Sequence, residues 1–212
     1  MEAARRCQQA GADSIVCHLR EDRRHILDAD VHRLAKLRIP LNLEMSIAPS
    51  VVATALKAHP AQVTLVPERR QELTTEGGLD AVRLAPRLNR LIQQFQARDI
   101  AVSLFIDPEP RQVAAAAMLG APIIELHTGA YANAATAAAR LRACAALRHA
   151  AAQARRNGLA VAAGHGLDYD NVRPIARIKD IEELNIGFSI ISRALWVGLP
   201  RAVKEMRNLI RR

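Results

Sequence analysis

Three histidines close apolar runs in this sequence: His18 ends SIVCHL, His127 ends IIELH and His165 ends LAVAAGH. Imidazole is the side chain whose ordinary titration falls between pH 5 and 8, which suits it to general acid–base work. Glu44 lies in NLEMS between apolar neighbours. A carboxylate there is costly to bury unless it is paired or functional. The stretch HLREDRRHI, residues 18–26, then sets Arg20 and His25 just beyond His18. A guanidinium matches the geometry of a phosphate or carboxylate, so this end of the run reads as an anion contact. The intervening EDRR reads as salt-bridged loop structure. TTEGGLD, residues 74–80, is a polar, glycine-rich stretch ahead of a helix, of the kind that closes over a ligand or caps a helix. NIGFSII, near the C-terminus, offers glycine beside a helix start, the backbone form that receives anions through its N–H groups. A single histidine at a strand end is ordinarily a hydrogen-bonded core residue; the argument rests on the cluster.

These residues need elements that gather them. Short apolar runs alternate with helical patterns: strand candidates lie at 14–19, 40–46, 62–67, 100–106, 123–129, 159–165 and 184–191. Helical patterns lie at 1–10, 29–37, 49–58, 79–98, 109–119, 132–157, 170–177 and 198–211, with Asp107 as a cap before the prolines of DPEPRQ. Most of the strand runs are continuously apolar, which predicts parallel strands buried on both faces. Repeated βα units predict an α/β fold, a (β/α)8 barrel with seven of its eight strands in this chain and extra helices, built as one domain over residues 1–212. An open doubly wound sheet is the structural alternative. In a barrel the polar residues listed above all fall at the C-terminal strand ends, where such folds do their chemistry, while the strand interiors stay apolar.

Composition narrows the ligand. The net charge is +9, and almost all of the positive charge is arginine. The arginines are scattered, aromatics make up 3% of the chain, and no RNA-binding fingerprint is present, so nucleic acid is not expected. Phosphorylated small molecules fit better. Three widely spaced cysteines, Cys7, Cys17 and Cys144, predict neither a disulfide framework nor a zinc site. No run reaches the roughly 20 apolar residues of a membrane span. With no apolar signal core at the start, the expected location is cytoplasmic.

The strings GADSIVCHLREDRRHI, LNLEMS, LVPERRQELTTEGGLD, VSLFID, GAPIIELHTGAYA, AGHGLDYDNV and ELNIGFSIISRAL, in this order, resemble the pyridoxine 5′-phosphate synthase family. The likeness runs from about residue 10 to the C-terminus. It implies a cytoplasmic (β/α)8 barrel that assembles as a homo-octamer built from dimers and needs no metal or redox cofactor. The implied reaction joins 1-deoxy-D-xylulose 5-phosphate to 3-amino-2-oxopropyl phosphate, giving pyridoxine 5′-phosphate, inorganic phosphate and water. By resemblance, His18 and Glu44 are proton acceptors and His165 a proton donor. Arg20, His25 and Thr74 match contacts to the deoxyxylulose phosphate, and Gly166, Gly187 and Phe188 match contacts to the amino-ketone phosphate. There are departures. Phe188 stands where the family usually has histidine, and Ala162 where it commonly has asparagine. The family's first strand, which carries an asparagine, an Asp-His pair and then an arginine, has no match, so the chain reads as one βα unit short at its start. A truncated, non-catalytic member of the same fold is therefore the second reading.

Overall fold

A computed structural model of the chain describes residues 1–67 and 77–211. Thr74 lies outside the described residues. Seven parallel strands, β1 (Ile15–Leu19), β2 (Leu41–Met45), β3 (Gln62–Leu65), β4 (Ala101–Ile106), β5 (Ile123–His127), β6 (Ala160–Gly164) and β7 (Glu183–Asn185), pair strictly in chain order. Helices α1 (Glu2–Gln9), α2 (Asp28–Leu34), α3 (Pro49–Ala58), α4 (Ala85–Gln96), α5 (Pro110–Met118), α6 (Gly129–Ala132), α7 (Ala137–Arg156), α8 (Val172–Ala176), α9 (Phe188–Val197) and α10 (Leu199–Ile210) alternate with them. In-order parallel pairing with helical crossovers curls the sheet into a barrel wall, as the alternation of elements predicts. Strands β1 and β7 form its two edges.

The register explains where the core sits. Side chains alternate between faces along a strand, and register partners share a face. Leu19, Leu41, Leu43, Met45, Val63, Leu65, Val102, Leu104, Ile106, Ile124, Leu126, Val161 and Ala163 belong to one face and are buried. They pack with Val31, Val51, Leu88, Ile92, Phe95, Val113, Leu147 and Ile175 of the helices. The other face carries His18, Asn42, Glu44, Thr64, Ser103, Glu125, His127, Glu183 and Asn185, which fall on register-matched positions. The apolar core is thus a layer between sheet and helices, and the inner face is largely polar. The expectation of apolar strand interiors is corrected here. Single polar residues inside runs such as LNLEM and QVTL mark the inward positions, and the helices bury only the outward ones. Within that face the Thr64 hydroxyl donates to Asn42 Oδ1 at 2.8 Å, so buried polar groups find partners among themselves.

Several boundaries differ from the sequence reading. The last apolar run is a strand only through Asn185; Phe188 onward is helix α9. A short apolar run gives no period by which strand and helix can be told apart. Residues 81–84 form a turn ahead of α4, whose first turn holds Pro86. The alanine-rich helix expected over 132–157 is α7 and starts only at Ala137; the short α6 ends at Ala132, and Thr136 caps α7 by accepting from Ala139 N at 3.1 Å. Asp107 does not cap α5. Glu109 holds that position without a side-chain bond, and Asp107 is used elsewhere.

Candidate functional site

At the C-terminal end of β1, His18 is the register partner of Glu44 on β2, and His18 Nδ1 lies 3.9 Å from Glu44 Oε2. Both are largely enclosed, with side-chain exposures of 22% and 26%. Burial, with the nearby Arg20 charge, pushes the His18 pKa down to about 4, so the imidazole is neutral near pH 7. Burial pushes the Glu44 carboxyl up to about 7, the range in which a carboxyl can both take and return a proton.

The loop after β1 is tied down by its own charges. Asp22 accepts from Arg24 Nε at 2.8 Å and from Arg20 Nε at 3.3 Å, which holds its carboxyl well below the usual range. Arg23, in a left-handed conformation at φ 52°, reaches Asp28 at 3.1 Å. Glu21 accepts from Ser46 Oγ at 2.9 Å, linking this loop to the end of β2. The acidic and basic residues of EDRR therefore build the loop, as their type suggested. Arg20 is buried beside His18, while His25 is exposed yet near enough for its charge to oppose protonation of His18.

A second cluster forms at the ends of β4, β5 and β6. The ring centroids of His127 and His165 are 5.1 Å apart, edge to face, and Phe105 packs on both at 5.2 and 6.3 Å. Burial, then the charge of His127, lower the pKa of His165. His165 has φ 83°, a strained conformation for a residue with a side chain. Its carbonyl accepts from Thr128 Oγ1, which also bonds the Gly164 carbonyl at 2.7 Å. Asp107 accepts from His127 Nδ1 at 2.9 Å and from the Gly78 N–H at 3.2 Å.

Beneath this cluster Glu125 is buried, and its Oε2 accepts from Asn185 Nδ2 at 2.8 Å. Burial, and then the charge of Glu44, raise its pKa well above the usual carboxyl value. A Cβ on Gly164 would overlap Glu125 Oε1 and crowd the Asn185 carbonyl at 3.0 Å, so glycine gives the Glu125 carboxyl its room. Glu125 was missed in the sequence, although IIELH presents the same signal as NLEMS, a carboxylate between apolar neighbours.

The loop after β6 and the start of α9 meet. Ser189 Oγ donates to the Leu167 carbonyl at 2.9 Å, drawing Gly166 toward Gly187 and Phe188. Gly166 takes φ 78°, and both it and Gly187 are exposed. Gly187 is the N-cap of α9, so the free N–H groups of the first turn lie beside the site. The Phe188 side chain points to solvent at 87% exposure, so what position 188 offers the site is backbone.

The structure thus brings His18, Glu44, Arg20 and His25 together on one wall, and His165, Gly166, Gly187 and Phe188 on another. Such an arrangement, with neutral His18 beside protonatable Glu44 and Glu125 at the C-terminal strand ends, fits an enzyme of the TIM-barrel class. The chain belongs to the family described as "Pyridoxal phosphate biosynthesis protein PdxJ", which matches residues 1–212. It is 58% identical over 200 residues to a pyridoxine 5′-phosphate synthase from a Synechococcus strain, covering 94% of this chain and 84% of the relative. It is 51% identical over 212 residues to the enzyme of that name from Magnetococcus marinus, covering 100% of this chain and 87% of the relative. Among solved structures it resembles a 3-hexulose-6-phosphate synthase (TM-score 0.69, 15% identity, 99% and 92% of the two chains). It also resembles the phosphoribosyl anthranilate isomerase of Thermus thermophilus (TM-score 0.64, 14% identity, 99% and 92%). At those identities the likeness concerns the fold alone.

Proposed function

We propose that this chain is a pyridoxine 5′-phosphate synthase, condensing 1-deoxy-D-xylulose 5-phosphate with 3-amino-2-oxopropyl phosphate. The observation that carries the reading is the register-matched His18–Glu44 pair beside Arg20, within a chain 51–58% identical to enzymes of that name. Those identities favour the enzyme over a non-catalytic relative.

The reaction condenses an amine with a ketone, expels phosphate, and closes a ring with loss of water. Each step moves a proton, so groups of different proton affinity are needed around one pocket. Neutral His18 and the Glu44 carboxylate accept protons. Protonated His165, acidified by burial and by its histidine neighbour, is a strong donor to a leaving oxygen. Glu125, held by Asn185, is kept protonated by burial and by the Glu44 charge, so the two buried carboxyls do not ionise together. Arg20, His25 and Thr74 hold the sugar phosphate, and backbone N–H groups at Gly166, Gly187 and Phe188 receive the other phosphate. The residues supply this chemistry without a metal or redox cofactor.

One domain over residues 1–212 carries these roles, in a cytoplasmic protein that acts on phosphorylated small molecules and not on nucleic acid. Helix α9 supports self-association toward a homo-octamer built from dimers. Phe188, Leu195 and Trp196 are 87%, 83% and 86% exposed, an apolar face that a second copy would cover. The test is incubation of the purified protein with both substrates and detection of pyridoxine 5′-phosphate by mass. The expected result is product with one phosphate released per ring formed, and none when either substrate is omitted. No product at high protein concentration would overturn the reading.

A further inference from the structure

We infer that His127, oriented by Asp107, is the positioning residue for His165, and that the end of β5 sets both the placement and the electrostatic surroundings of the catalytic imidazole. The inference rests on the proposed function above, since it assigns a purpose to a group beside the proton donor.

Three contacts converge on His165, two from the end of β5 and one from β4. The His127 ring meets the His165 ring edge to face at 5.1 Å, and Phe105 closes the third side of the triangle. Thr128, the next residue, binds the carbonyls of Gly164 and His165 and so holds the left-handed turn that aims the imidazole. Thr128 N also donates to the Gly164 carbonyl at 2.9 Å. His127 itself cannot rotate freely. Asp107 receives its Nδ1–H at 2.9 Å, and a Cβ on Gly129 would come within 2.5 Å of Nε2, so glycine there leaves room for the ring.

The bond to an ionised Asp107 fixes the tautomer. Nδ1 carries the proton given to Asp107, which leaves Nε2 as the nitrogen that this bond does not engage. Asp107 also binds the Gly78 N–H, where the chain re-enters from the loop before α4. One carboxylate therefore ties the loop's return, the His127 ring and, through that ring, His165 into a single rigid unit. Among the described residues, the titratable groups around His165 are His127, Asp107 behind it, and Glu125 beneath Gly164. Apart from burial, the charge of His127 is what lowers the His165 pKa.

The test compares the full chain with His127→Phe, which keeps an aromatic ring against Phe105 and His165 but loses the charge and the bond to Asp107. Turnover is measured from pH 5.5 to 9.5, and the His165 imidazole is titrated by NMR. We expect kcat to fall about tenfold, roughly 1.4 kcal/mol of transition-state stabilisation, with KM for both phosphates within twofold. The alkaline limb of kcat and the His165 titration should both move to higher pH, because a neighbouring like charge is gone. A merely structural role would lower activity without moving either. Should His127→Phe fail to fold, His127→Gln is read in the same way. A His165 titration that superimposes on the parent's overturns the inference. That titration needs no turnover, so a parent chain that makes no product would refute the proposed function without touching this test.

Discussion

Replacing Glu44 by glutamine is expected to make the protein more stable and less active at once. Burial raises this carboxyl from an ordinary 4.5 to about 7. At about 1.4 kcal/mol per pH unit, ionising it costs about 3 kcal/mol more in the folded protein than in the unfolded chain. The sign follows from which state binds the proton. The folded state holds it more tightly, so this group favours unfolding as pH rises above the unfolded value. At pH 8 the folded carboxyl is mostly ionised and nearly the whole penalty, about 3 kcal/mol, is present. At pH 5 the folded carboxyl is protonated, and only about 1 kcal/mol remains from ionisation of the unfolded chain. Glu44→Gln should therefore raise unfolding free energy by about 2 kcal/mol more at pH 8 than at pH 5. Relief of its push on Glu125 acts in the same direction. The assay is urea unfolding of both proteins at the two pH values, beside turnover at pH 8, which should fall at least a hundredfold, within the usual worth of a positioned acid–base group. A stability gain equal at both pH values, or none at pH 8, would refute the claim that buried ionisation is the cause.

Three further outcomes are expected. Gly164→Ala drives a Cβ into Glu125 Oε1 and should cost about 1–3 kcal/mol, read as a lower melting temperature; an unchanged melt would mean that the Glu125 side chain yields freely. Thr128→Val removes the donor to the Gly164 and His165 carbonyls, and should lower kcat about tenfold with little change in KM, as befits loss of orientation; normal kcat would show that the left-handed turn holds by itself. Trp196→Glu on the exposed face of α9 should shift the protein to a smaller species in analytical ultracentrifugation while its helical circular dichroism is kept; an unchanged mass would exclude that face as a contact between copies.

Much of this architecture is legible in the sequence because it depends on local chemistry. Strand ends marked by His18, His127 and His165 lie where the pattern puts them, and Glu44 stands out because a lone carboxylate between apolar neighbours needs a reason. What the pattern hides is partnership across elements. Asp107 reads as a helix cap when only its own segment is considered; its actual partners are His127, twenty residues later, and Gly78, ahead of it on another segment. Glu125 carries the same local signal as Glu44, and what sets it apart lies on other strands, in Asn185 and Glu44. The first residues of helix α9, Phe188–Ile191, read as strand because they continue the apolar run of β7, and the helix leaves every one of its residues at least partly exposed. Continuous hydrophobicity then reports a surface awaiting cover and not the period of an element.

The division of each strand into an outward apolar face and an inward polar one has a consequence for fidelity. A shift of any strand by one residue would turn its acids and imidazoles into the layer beneath the helices and expose its leucines and valines to the polar interior. Misregistered chains would thus lose core and chemistry together, and a folded but wrongly wired molecule has no stable place to rest. The same division lets the two faces change separately. Inward positions can be exchanged for new reactions while the outward layer stays intact, so one scaffold can keep its shape as its catalysts are replaced.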